Sequence, residues 1–172
     1  FRASLALAIL ASALAATTLA QQGLPYDWSL TLSPDPAFGG AFGEHMRVVD
    51  VNKDGFRDLI ASDSIKAAGG QAGAGKVFIL FGPSFATSTE IVADVPTFTE
   101  NMGFRSLVVG DANGDDELDI LVGSAGYDAG GPQGTDIGRA HLFLGPDFQT
   151  DIVFDAPVAE EDGRFGWAVE LA

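Results

Sequence analysis

Short apolar runs alternate with clusters of Gly, Pro, Asn and Asp along most of the chain. The runs are three to five residues long and rich in β-branched and aromatic side chains, and none beyond the first twenty residues keeps a 3.6-residue period. This pattern predicts strands and turns, and therefore an all-β fold. The predicted strands cover residues 46–49, 59–61, 77–81 and 90–93, and then 106–109, 120–122, 140–144 and 151–154.

Three landmarks recur in the same order with a period of about sixty residues. They are the dipeptides Phe42-Gly43, Met102-Gly103 and Phe165-Gly166, the acidic loops 50–58 and 111–119, and the Gly-to-Pro segments 75–83 and 138–146. Four short strands in a unit of this length are typical of one blade of a β-propeller. We therefore predict a propeller fragment with one blade over 38–99, a second over 100–160, and the start of a truncated third over 161–172.

The two acidic loops place oxygen-bearing side chains at positions one, three, five and nine. The first loop supplies Asp50, Asn52, Asp54 and Asp58, and the second supplies Asp111, Asn113, Asp115 and Asp119. Alternating side chains folded by a tight turn converge on one point, and the carbonyl of residue seven, Phe56 or Glu117, would point inward with them. Oxygen ligands at this density favour Ca²⁺ over Mg²⁺ or zinc, so we predict two calcium sites.

Position six of each loop has to reverse the chain sharply. Gly55 can adopt the positive φ that this requires, and Asp116 in the second loop tolerates it at some cost. An EF-hand begins with a similar sequence but needs a Glu at position twelve and a helix on each side. Ala61 and Val122 occupy position twelve here, and both flanks predict strands. The other alternative is a solvated acidic turn without metal.

The first twenty residues predict a secretory signal peptide. Arg2 precedes the apolar run 5–11, and Thr18-Leu19-Ala20 places small residues before a plausible cleavage point. A membrane anchor is the alternative, but the run is short and rich in Ala. Residues 21–37 would be a lead-in segment. We expect an exported protein, extracellular or on the cell surface, with no membrane span after the signal. Because the sequence starts with Phe1, we also expect it to be part of a longer reading frame.

Charge and composition narrow the function further. The chain has 24 acidic and 9 basic residues, a net charge of −15, which argues against nucleic acid as a partner. It has no cysteine, so no disulfide can stabilise an exported fold. Eight of the 24 acidic residues lie in the two loops, so their repulsion without metal should destabilise the fold. Bound metal is therefore a candidate for stabilisation.

The landmark residues resemble the FG-GAP repeat of integrin alpha-chain propellers, which also occurs in secreted bacterial proteins. The resemblance extends over about residues 38 to 172 and implies a β-propeller, commonly seven-bladed, with Ca²⁺ in a hairpin loop of each blade. Carried over residue by residue, the ligands are the ten positions named above. The sequence departs from the pattern at Met102, at Asp116, and after the first loop, where no Gly-Ala-Pro follows.

Other motifs do not indicate catalysis. Residues 70–76 imitate a phosphate-binding loop but lack its Ser or Thr, and we interpret them as a flexible loop between strands. His45 and His141 are the only histidines, and no nucleophile–base set is apparent. We expect a non-catalytic, calcium-stabilised module that binds an extracellular protein or glycan, as in adhesion. The alternatives are an accessory domain of a larger extracellular hydrolase and a structural surface protein.

Overall fold

A computed structural model describes residues 40–130 and 134–171. The predicted signal peptide and the lead-in segment lie outside these ranges, as do residues 38, 39, 131–133 and 172 of the predicted blades. The described residues form eight strands: β1 (Met46–Val49), β2 (Asp58–Asp63), β3 (Lys76–Phe81), β4 (Thr87–Ile91), β5 (Leu107–Gly110), β6 (Asp119–Ser124), β7 (Arg139–Leu144) and β8 (Thr150–Asp155). Within them no helix is long and apolar enough to cross a membrane.

The strands form two antiparallel sheets of four, each in the order of the sequence. The first sheet is β1-β2-β3-β4 and the second is β5-β6-β7-β8. Corresponding pairs keep the same register, since Val48 faces Leu59 in the first sheet and Val109 faces Ile120 in the second. The prediction of an all-β fold with four strands per unit is confirmed.

One predicted strand is misplaced. Apolar residues suggested 90–93, but β4 covers Thr87–Ile91. The strand starts early because it pairs with β3 along its full length, from Phe81 opposite Thr87 to Val77 opposite Ile91. Most of β4 is polar and lies on the exposed side, so hydrophobicity alone does not reveal it.

Both sheets contribute to one hydrophobic core. The central strands are the most buried, as the patterns of β2, β3, β6 and β7 show. The core contains Val51, Ile60, Val77, Ile79, Ile91, Ala93, Met102, Leu107, Ile120, Val122, Phe143 and Phe148. Met102, which replaces the Phe of the repeat pattern, is completely buried in this cluster. A flexible thioether can fill the same apolar space as the aromatic ring.

The repeated dipeptides are the contacts between successive units. The Met102 N–H donates to the Ala74 carbonyl at 3.0 Å, and the Ser62 hydroxyl donates to the Gly103 carbonyl at 2.9 Å. The next dipeptide makes the equivalent backbone contact on the second sheet, but its serine donor precedes the first strand instead of lying on the second. There the Phe165 N–H donates to the Ile137 carbonyl at 2.8 Å, and the Ser106 hydroxyl donates to the Gly166 carbonyl at 2.9 Å.

The loop before β3 is a docking surface, which corrects its interpretation as flexible. Thr99, Asn101 and Met102 donate their N–H groups to carbonyls of residues 72–74. Gly75, with φ of +90°, lies so close to the Met102 backbone that a Cβ would collide with it. Gly138 has the same relation to Phe165. The Gly-rich sequence therefore permits close backbone approach and is not a sign of mobility.

A buried ionic network lies at the junction between the two sheets. The His141 Nε2 is 2.8 Å from Glu100 Oε1, and its Nδ1 is 3.0 Å from both carboxylate oxygens of Asp151. Glu100 also accepts hydrogen bonds from the N–H and hydroxyl of Thr97, each at 3.0 Å, and Arg139 lies 4.0 Å away. All three central side chains are nearly inaccessible to solvent.

The network favours a charged histidine. Burial alone would lower the pKa of His141, but hydrogen bonds to Asp151 and Glu100 outweigh it and raise the pKa from 6.5 to about 8. A raised pKa means that the folded state binds the proton more tightly than the unfolded chain does. The resulting stabilisation is complete below pH 6.5 and is lost as the pH rises through 8.

We predict that the free energy of unfolding decreases between pH 6.5 and pH 8.5 by about 1.5 kcal/mol, most of the roughly 2 kcal/mol that corresponds to the full His141 pKa shift. Urea unfolding at a series of pH values measures this. The slope should disappear when His141→Phe is combined with Glu100→Gln and Asp151→Asn, which leaves no unpaired buried carboxylate in the network, and it should persist in His45→Phe. An unchanged slope in the triple variant would exclude this histidine as its source.

We predict that Gly123→Ala destabilises the fold by about 2–3 kcal/mol. A Cβ at this position would collide with the Gly166 carbonyl and lie 2.5 Å from the Ser106 hydroxyl. Gly40→Ala is the matched control, since its Cβ would meet only the Ile65 side chain at 3.7 Å. Equal midpoints of chemical denaturation for the two variants would contradict close docking at Gly123.

Candidate metal centres in the acidic loops

The two acidic loops occupy equivalent places in the two sheets. The first connects β1 to β2 and the second connects β5 to β6. Both therefore lie at the same end of their sheets, and both are flanked by antiparallel strands. Strands on both sides exclude the helix–loop–helix arrangement of an EF-hand.

In the first loop, side-chain oxygens fold back onto the loop's own backbone. Asp50 Oδ1 and Asn52 Oδ1 both accept from the Asp54 N–H, each at 3.1 Å. Asp50 Oδ2 accepts from the Gly55 N–H at 2.9 Å, and Asp54 Oδ1 accepts from the Phe56 N–H at 2.8 Å. The structure thus brings the side chains of positions one, three and five together.

The second loop repeats this pattern. Asp111 Oδ1 and Asn113 Oδ1 both accept from the Asp115 N–H, at 3.2 and 2.9 Å. Asp111 Oδ2 accepts from the Asp116 N–H at 2.9 Å, and Asp115 Oδ1 accepts from the Glu117 N–H at 2.8 Å. The two loops are identical only at positions one, three, five and nine, and the same side chains make the same hydrogen bonds in both.

The backbone at position six is as predicted. Gly55 has φ of +89° and Asp116 has φ of +69°. Position four also has positive φ, at Lys53 (+60°) and Gly114 (+81°), which sequence reasoning missed. Gly114 could have indicated the positive φ, because glycine adopts it readily. Lys53 could not, because lysine seldom has a positive φ.

Position nine has a different environment from the rest of each loop. Asp58 is fully buried and accepts from the Val51 N–H at 2.8 Å and from the Gly82 N–H at 2.9 Å. Asp119, equally buried, does the same with Ala112 and Gly145, at 2.8 and 2.9 Å. Through these hydrogen bonds, each carboxylate connects the start of its loop with the turn after the third strand. The sequence analysis did not predict this structural function of Asp58 and Asp119. The Gly-Pro pairs in the turns after the third strands do recur in the sequence.

Electrostatics in the second loop favour the ionised state of its first residue. Desolvation opposes this, but the N–H groups of Gly114, Asp116 and Asp115 outweigh it and keep the pKa of Asp111 below its usual value. Lys53 of the first loop reaches Glu117 of the second at 2.8 Å. This exposed ion pair joins the two loops, and the hydrogen bond to Glu117 raises the pKa of Lys53.

The donor set is chemically suited to a hard divalent cation. Each ionised carboxylate has about four lone pairs, and Asp50 and Asp58 each use two of them for backbone N–H groups. The remaining lone pairs, the Asn52 oxygen and the Phe56 carbonyl are of the oxygen type that Ca²⁺ prefers. The Asn52 amide donates to Asp54 Oδ2 at 3.1 Å, a contact that would compete with a cation.

In the described ranges no three Asp, Glu, His or Cys side chains form a metal-binding group. The three aspartates of each predicted set are therefore not gathered into such a group in this structure. The two calcium sites therefore stay predictions. Together, the sheets and loops define an all-β repeat protein in which each unit contains a strand-flanked acidic loop. No protein-family model matches the chain, and no curated protein matches it.

We predict that Asp58→Ala lowers the free energy of unfolding by about 3 kcal/mol in the presence of a chelator, because two buried N–H groups lose a charged acceptor. Asp54→Ala removes the same charge from an exposed position and should cost less than about 1 kcal/mol. Guanidinium unfolding of both variants measures the difference. If the two variants were equally stable, Asp58 would have no metal-independent structural function.

Proposed function

We propose that this chain is part of an exported, calcium-binding β-propeller of the FG-GAP type that binds an extracellular protein or glycan and is not catalytic in this region. The observation that supports it most is the matching arrangement of hydrogen bonds in two acidic loops about sixty residues apart. The same four oxygen-bearing positions recur in both loops, and their carboxylates keep lone pairs that the backbone N–H groups do not use.

The arrangement of the sheets supports a propeller in two ways. Each sheet is a four-stranded meander, which is the form of a propeller blade. The first strands of the two sheets, β1 and β5, contact each other, as the innermost strands of neighbouring blades would. Residues 162–167 dock on the second sheet with the same hydrogen bonds that residues 99–104 make with the first. This agrees with a continuing series of units.

Calcium would have a clear physical function in these loops. The first loop contains three carboxylates and the second contains five, and only the Lys53–Glu117 ion pair offsets them among the described side chains of the two loops. A divalent cation in each loop would reduce the repulsion and fix the turn between the two strands. An ion that binds only the folded state stabilises it in proportion to the logarithm of its concentration.

We predict that isothermal titration shows two Ca²⁺ sites and that Asp54→Ala with Asp115→Ala abolishes the binding. Free Ca²⁺ at one hundred times its Kd should stabilise the wild-type fold by about 2.7 kcal/mol per site. Thermal unfolding with calcium and with a chelator measures this second effect.

The matched control is Glu160→Ala with Glu161→Ala. It removes the same two charges from an exposed turn outside the loops, and it should leave calcium binding unchanged. Unaltered heats in the loop variant, or an equal loss in the control, would contradict the assignment of the sites.

A further inference from the structure

We propose that a basic cleft at the start of β1 and β5 binds an oxyanion group, a carboxylate or a sulfate, of an acidic ligand. The cleft has a volume of about 140 Å³, well above what one water molecule needs. Three basic side chains line it, those of His45, Arg47 and Arg105. Ser106, Leu107, Val108, Ala168 and Val169 complete its walls.

Arg105 is held in position by aromatic rings. Its guanidinium carbon lies 4.6 Å from the ring centre of Phe104 and 4.5 Å from that of Trp167. Contact with ring faces restricts the side chain and leaves the N–H groups at its edge available for hydrogen bonds. A fixed guanidinium loses little conformational freedom on binding, and its geometry matches the paired oxygens of a carboxylate or sulfate.

The charge of the cleft is not neutralised by the protein. Lys53, Lys76, Arg139 and Arg164 all form ion pairs. Among the described residues, Arg47, Arg57, Lys66 and Arg105 form none, and of these only Arg47 and Arg105 line the cleft. Glu44 and Glu170 are close to cleft residues in the sequence. Arg47 donates to the Met46 carbonyl at 2.8 Å. In a chain with net charge −15, two such arginines in one cleft form a local positive site.

The repeat shows that the fold does not require these residues. Corresponding positions in the two units are 61 residues apart, as the Val48–Leu59 and Val109–Ile120 pairs indicate. Glu44 occupies the position that corresponds to Arg105, and Val108 occupies the one that corresponds to Arg47. The basic residues are therefore specific to this junction, which favours a ligand over a structural need as their explanation.

The test is an isothermal titration calorimetry experiment in which the full chain is titrated with sodium sulfate or sodium acetate at constant ionic strength. We expect saturable binding of at least one of these anions, and the comparison shows whether the site prefers a tetrahedral or a planar oxyanion. Arg105→Gln should weaken the association constant about tenfold or more, the effect of losing one charge-assisted contact. Arg105→Lys keeps the charge but lacks the paired N–H donors of the guanidinium. It should weaken binding less than Arg105→Gln does.

Lys66→Gln is the matched control. Lys66 follows β2, at the same end of the sheet, and carries the same charge without lining the cleft; its substitution should change the association constant less than about twofold. Circular dichroism verifies that each variant is folded. Absence of saturable binding for both anions, or equal weakening by Arg105→Gln and Lys66→Gln, would overturn the proposal. Each titration is repeated on protein from which calcium has been removed by passage over a chelating resin, so that no soluble carboxylate competes for the cleft. We expect the same result, because the cleft lies at the opposite end of β1 and β5 from the acidic loops.

Discussion

The two buried carboxylates of Asp58 and Asp119 are the constraint on which each unit depends. Each one accepts N–H groups from two separate parts of its sheet, the start of the acidic loop and the turn after the third strand. An ionised group without partners would be very unfavourable at such a buried position. The loop and the turn therefore have to adopt their observed conformations together. This requirement couples the candidate metal centre to the sheet even when no metal is bound.

The units are coupled to one another by close backbone contacts rather than by long side chains. Gly75 and Gly138, just before the third strands, and Gly123, on the second strand of the second unit, allow the next dipeptide to approach the main chain. Serine hydroxyls then satisfy the carbonyls of Gly103 and Gly166. The network around His141 adds a contact that is specific to the junction between the two sheets, because Phe78, which is not ionisable, occupies the corresponding position in the first sheet. A regular scaffold thus accommodates local differences without changing its register.

Much of this arrangement could be predicted from the sequence because repetition reveals what one copy cannot. The all-β class, the strands around each acidic loop and the positive φ of Gly55 and Asp116 followed from residue types at fixed spacing. The start of β4 did not, because its residues are polar and its position depends on pairing with β3. The environments of Asp58 and His141 could not be predicted either, because the residues that they contact lie in other strands or loops. Such partners become visible only when the chain is folded.

The charges of this protein are separated along the first strands of the two sheets. Both β1 and β5 begin beside the basic cleft and end at an acidic loop. A cation bound at one end would stabilise the turn between two strands, whereas an anionic group at the other end would meet side chains that do not hold the fold together. Stabilisation and recognition would then depend on different residues. The cleft residues could change without loss of the scaffold, but the carboxylates that fix the loops could not.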